Sequence, residues 1–84
     1  MKLVFSESAW ADYLYWQGTD KKMVKRINEL IRDIDRNKHE GIGKPEPLRH
    51  NLSGWWSRRI DEEHRLVYQI QNDSILLAQL RYHY

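Results

Sequence analysis

The spacing of apolar and polar positions changes partway along this chain, and the change separates two kinds of structure. Lys2 to Phe5 is a short apolar run that reads as a strand, ended by Ser6, whose hydroxyl suits a helix N-cap. Ala9, Trp10, Tyr13, Leu14 and Gln17 then recur at helical spacing. Gly18 is expected to close this helix in the left-handed C′ conformation, with Thr19 capping the next. From Asp20 to about Asn37, the residues Met23, Ile27, Leu30, Ile31 and Ile34 fall on one stripe, with Lys21, Lys22, Lys25, Arg26, Glu29, Arg32 and Asp33 elsewhere. That pattern predicts an amphipathic helix that needs a sheet to lie on, its charges forming a solvated face.

The stretch "KHEGIGKPEP", residues 38–47, interrupts the helical period. Gly41, Gly43, Pro45 and Pro47 oppose regular structure, and the two prolines hold the backbone around Glu46 near extended geometry. Beyond it the period becomes two. Strands are predicted at 48–51, 55–61, 64–71 and 74–83, joined by turns so short that neighbouring strands run antiparallel. No repeat or linker divides the chain, so residues 1–84 are expected to form one domain. The order β-α-α-β-β-β-β predicts an α+β fold, with two helices on one face of a small twisted, mostly antiparallel sheet.

Strand alternation assigns side chains to faces. Leu76, Ala78, Leu80 and Tyr82 are expected to meet the helices, as are Leu66, Tyr68 and Ile70, and then Trp56, Arg58 and Ile60. The opposite face would carry Arg59, Arg65, Gln79, Arg81 and His83, with Lys44 and Arg49 at its edge: an open, basic surface without carboxylates. His83 would sit on the last strand as it continues to the chain end.

Composition narrows the options. A domain of 84 residues buries only about 60 to 65% of its unfolded surface, so Trp10, Trp16 and Trp56 are read as core or protein contact. Cysteine is absent, which removes disulfides, thiolate metal sites and a cysteine nucleophile. No apolar run approaches the roughly 18 residues of a membrane span, and Met1-Lys2-Leu3-Val4-Phe5 is too short for a signal peptide's apolar region, so a cytoplasmic location without membrane contact is expected. The net charge of +2 is mildly basic, so the placement of the charges matters more than their sum. His50 and His64 adjoin turns or strand ends and are expected to bond backbone. No histidines show a zinc-ligand spacing with a third partner, so neither metal nor other cofactor is expected.

The basic face has a chemistry to match. Cutting RNA without a metal takes a base for the 2′-hydroxyl proton, cations for the charge growing on the phosphorane, and an acid for the departing 5′-oxygen. By residue type Glu46, the arginines and His83 fit these three tasks. Arg65 suits phosphate because its planar fork grips two oxygens and stays protonated. Tyr84, and Trp55, offer rings on which a base could stack.

The motifs "W..YLYWQ", "KRINELI", "GKPEPL", "HNLSG", "WSRRI", "EEHRLVY" and the terminal "RYHY", in this order and over the full length, resemble the YoeB-type toxins of the RelE/ParE superfamily. The resemblance implies a ribosome-dependent endonuclease that cuts mRNA in the A site and halts translation. It implies as partners the ribosome, mRNA, a YefM-type antitoxin with a disordered acidic tail, and a second copy in a homodimer, with operator DNA reached only through the antitoxin complex. On the matching positions, Glu46 would be the general base, His83 the general acid, Arg65 the phosphate stabiliser and Tyr84 a substrate-positioning residue, while Lys44 and Arg59 are basic positions near the site. Two residues depart from the family pattern: Arg49 replaces a lysine, and Trp55 replaces a different, often smaller, apolar residue. The rival expectation is a non-catalytic protein of this fold, poisoning gyrase or binding nucleic acid without cutting it.

Overall fold

A computed structural model describes residues 1–83; Tyr84 lies outside the described residues. Its elements are β1 (Lys2–Phe5), α1 (Glu7–Thr19), α2 (Lys21–Asn37), β2 (Glu46–Pro47), β3 (Trp56–Arg59), β4 (Arg65–Gln71) and β5 (Ser74–Gln79), with a 3₁₀ turn at His50–Leu52. The strands form one mixed sheet in the order β1-β5-β4-β3-β2, antiparallel except where β1 runs parallel to β5. The expected α+β architecture is present. Ala9 and Trp16 of α1 and the whole apolar stripe of α2 share one core with Leu66, Tyr68, Ile75 and Leu77 of the sheet.

Helix entry follows the sequence and helix exit does not. Ser6 accepts from the Ala9 amide at 3.0 Å and donates to the Ala78 carbonyl at 2.8 Å, tying the start of α1 to β5. Gly18, however, stays helical and Thr19 caps nothing: its hydroxyl donates back to Tyr15 O at 2.7 Å, inside the same helix. The break falls at Asp20, whose extended backbone closes α1 and whose carboxylate accepts from the Lys22 amide at 3.0 Å to open α2.

Three strand expectations are corrected. The strand expected at 48–51 sits earlier, with Glu46 opposite Ser57 and Pro47 opposite Trp56, because the proline-framed backbone is already extended there. His50, at φ +58, then turns the chain. In β5 the parity is reversed: Ile75 and Leu77 are buried, while Leu76 and Ala78 are only partly so. Cross-strand partners share a face, and the register sets Leu77 against Tyr68 and Ile75 against Ile70. Finally, β5 ends at Gln79 instead of running to residue 83, and Tyr82 is exposed instead of packed in the core. Side chains of α1 take over the backbone groups a ladder would use, Asp12 accepting from the Leu80 amide at 2.9 Å and Trp16 Nε1 donating to Leu80 O at 2.9 Å.

Candidate active site

Glu46 enters the site on β2 with a proline on each side, and its strand pairing fixes where the side chain starts. The preceding loop is bracketed from beneath. Arg58, fully buried on the core face of β3, gives Nη2 to the carbonyls of Lys38 at 2.8 Å and Glu40 at 2.6 Å, and Nη1 to that of Ile42 at 3.1 Å. Nη1 also pairs with the carboxylate of Asp33, which accepts in turn from the Ile42 amide at 3.1 Å. Tyr68 completes the bracket, its hydroxyl donating to Lys38 O at 2.9 Å. Asp33 was expected on the solvated face of α2; instead it turns toward this arginine. The hydrogen bond from Arg58 is the main reason its carboxyl is held below the usual range, with the Ile42 and Asn37 donors assisting against its desolvation. Burial pushes the Tyr68 phenol up, against the Arg58 hydrogen bond.

Two glycines let the loop lie this close. A Cβ on Gly41 would fall 2.0 Å from Asp33 Oδ2, and one on Gly43 would fall 2.7 Å from Leu30 Cδ2. Both have positive φ, a conformation glycine adopts without penalty. The Gly43 carbonyl accepts from the Arg59 amide at 2.7 Å, which secures the last turn before Lys44 and Glu46.

Arg65 opens β4, and its Nη1 lies 2.9, 3.2 and 3.3 Å from the carbonyls of Asp61, Glu62 and His64. These contacts fix the orientation of the guanidinium. The residue is only 8% exposed, and Ser57 and Val67 on its face of the sheet are buried too, so that face is not the open surface expected. What opens to solvent is a cavity of about 340 Å³ lined by Lys44, Pro45, Glu46, Pro47, Ser57, Arg59, Arg65 and His83. Among the described residues its ionisable lining is one carboxylate against Lys44, Arg59, Arg65 and His83.

The structure therefore brings Glu46, Arg65 and His83 to one cavity, with Lys44 and Arg59 beside them. Arg49 lines an adjoining groove that shares Glu46 and Pro47 with it. Arg81 is not in this group, because its guanidinium lies over the Tyr15 ring at 3.6 Å and the Tyr82 ring at 4.6 Å. That placement corrects its assignment to the site face, and it follows from the end of β5 at Gln79, after which strand parity no longer applies. Tyr84 falls outside the described residues. His64 bonds backbone as expected, its Nδ1 accepting from the Tyr82 amide at 2.7 Å. Among the described residues, no group of three or more His, Cys, Asp or Glu side chains converges as a metal site would require. Sequence reasoning overlooked Asp33 as the partner of Arg58; the available signal was an arginine at a core-facing position, which demands a counter-charge.

A two-helix, five-strand fold with this cavity is that of a small bacterial toxin, and comparison with known proteins agrees. Residues 5–84 match the family described as "YoeB-like toxin of bacterial type II toxin-antitoxin system", and the chain belongs to it. It is 68% identical to Toxin YoeB of Escherichia coli K12 over the full length of both chains. Its structure superposes on a YoeB/ParE toxin from Agrobacterium tumefaciens with a TM-score of 0.98 at 49% identity, covering 100% of each chain. The Staphylococcus aureus YoeB, solved as a dimer and in a heterotetrameric complex with YefM, matches with a TM-score of 0.94 at 55% identity, covering 100% of this chain and 98% of that one.

Proposed function

We propose that this toxin is a ribosome-dependent endoribonuclease that cuts mRNA in the A site by acid-base chemistry of its own side chains, and so stops translation. The observation that carries this reading is that Glu46, Arg65 and His83, from a loop-borne strand, a strand start and the chain terminus, line one cavity. Glu46 takes the proton of a 2′-hydroxyl, whose oxygen attacks the adjacent phosphorus. Arg65, already oriented by three carbonyls, stabilises the charge that builds on the phosphorane oxygens, assisted by Lys44 and Arg59. His83 returns a proton to the departing 5′-oxygen. Tyr84 positions the substrate, and Arg49 extends phosphate contact along the adjoining groove.

The same reading supplies the setting: a cytoplasmic protein and a homodimer, held inactive by a YefM-type antitoxin whose acidic tail meets the basic cavity, and reaching operator DNA only in that complex. Programmed ribosomes carrying a defined message test the chemistry. Glu46→Ala, Arg65→Ala and His83→Gln are expected to lose cutting by about 10²- to 10⁴-fold each while still associating with the ribosome. Three variants that cut like wild type would leave a binding module of the same fold, not an enzyme built on these residues.

A further inference from the structure

His83 presents a problem of support. Beyond Gln79 the chain has left the sheet, yet His83 reaches the same cavity as Glu46 and Arg65. The segment between is held by side chains of α1, of Gln79 at the end of β5 and of His64 just before β4, and by the first amide of β4. Asp12 accepts from the Leu80 amide, Trp16 donates to Leu80 O, and Gln79 Nε2 donates to Arg81 O at 3.1 Å. At Tyr82 the amide donates to His64 Nδ1 at 2.7 Å and the carbonyl accepts from the Arg65 amide at 3.0 Å. Tyr82 has φ +62, a left-handed conformation that a bulky side chain adopts only where its surroundings impose it. This kink immediately precedes His83.

We infer that His64 is a positioning residue for the cutting reaction, fixing the Tyr82 peptide and so the approach of His83 to the phosphate held by Arg65. The inference rests on the endoribonuclease reading above. His64 is 8% exposed, and its ring meets that of Trp16 edge-on at 4.8 Å. Because Nδ1 accepts a hydrogen bond, the ring proton sits on Nε2, on the side where Glu63 Oε1 lies 3.6 Å away. The same residue's carbonyl is one of the acceptors around Arg65 Nη1. One residue thus touches both the phosphate-binding guanidinium and the peptide that aims the acid.

Two substitutions separate positioning from packing. His64→Phe keeps an aromatic ring against Trp16 and removes the acceptor; His64→Asn gives up the ring and returns an oxygen near the Nδ1 position. In the free protein, hydrogen exchange at the Tyr82 amide should accelerate more than about tenfold in His64→Phe and stay near wild type in His64→Asn. On programmed ribosomes, His64→Phe should lower kcat by about 10- to 100-fold with little change in KM, and His64→Asn should recover most of the rate. Wild-type exchange and cutting in His64→Phe, or His64→Asn as damaged as His64→Phe, overturns the inference. Should His64→Phe not fold, the wild type decides through the imidazole nitrogen resonances: a bare Nδ1 coupled to the Tyr82 amide upholds it, and a protonated Nδ1 sinks it. If the wild type cuts no message, the endoribonuclease reading fails, while Tyr82 exchange in the variants still shows whether the clamp exists.

Discussion

The loop that delivers Glu46 and the tail that delivers His83 face each other across one cavity but are held in opposite ways. Backbone groups of the loop converge on a single buried arginine, with Asp33 and Tyr68 closing the bracket. Those of the tail are shared among Asp12, Trp16, His64, the Arg65 amide and Gln79, each making one contact. A hub embedded in the core couples the loop to global stability. A distributed set lets the tail loosen without unfolding the rest. Glu46 and His83 are therefore expected to differ in what dislodges them: the first through loss of the core hub, the second through loss of single tail contacts.

The hub predicts the largest effect. Arg58→Met leaves the Asp33 carboxylate without its cation and removes the arginine donor from three loop carbonyls, of which Lys38 O keeps the Tyr68 hydroxyl, and should cost about 3 to 5 kcal/mol of stability, read from urea unfolding. A loss below about 1 kcal/mol would mean that the loop is held by something other than this bracket, and the contrast between loop and tail would collapse.

A smaller effect of the same kind is reached through pH. The folded state holds the Asp33 proton more weakly than the unfolded chain does, chiefly because Arg58 donates to the carboxylate. The stability this contributes is complete above the unfolded carboxylate value of about 3.9 and is lost as pH falls through the lower folded value. Wild type should therefore lose stability below about pH 4 more steeply than Asp33→Asn, in melts taken at successive pH values. Equal slopes would show that Arg58 draws nothing from the charge of Asp33.

The same contrast explains how much could be read from the chain. Helix α2 was legible because its apolar residues occupy one helical phase only, and all five stripe residues are buried. The parity of β5 was not, because residues 75–78 read Ile-Leu-Leu-Ala and are apolar on both phases, so only the pairing of Leu77 with Tyr68 decides it. At the site, Glu46 stood out through its flanking prolines, whereas the support of His83 depends on Asp12 and Trp16, 68 and 64 residues from the backbone groups of Leu80 they bond. No local pattern encodes such contacts. Arg58 lies between these cases: alternation in "WSRRI" turned it inward, and nothing in the spacing named Asp33 as its partner.

The smallest expected effect sharpens the tail's side of the comparison. Asp12→Ala removes the acceptor for the Leu80 amide, which by itself should cost about 0.5 to 1.5 kcal/mol. Alanine at a helical position returns about 0.5 kcal/mol or more relative to aspartate, so the two terms nearly cancel and the urea midpoint should barely move. Hydrogen exchange at Leu80 should nevertheless accelerate clearly, because the helix gain is made in α1 and does nothing for an amide beyond β5. Local opening without global loss is what a distributed anchor requires. If Asp12→Ala instead lowered the midpoint as far as Arg58→Met, the tail would be as much a part of the core as the loop, and the contrast between the two would fail.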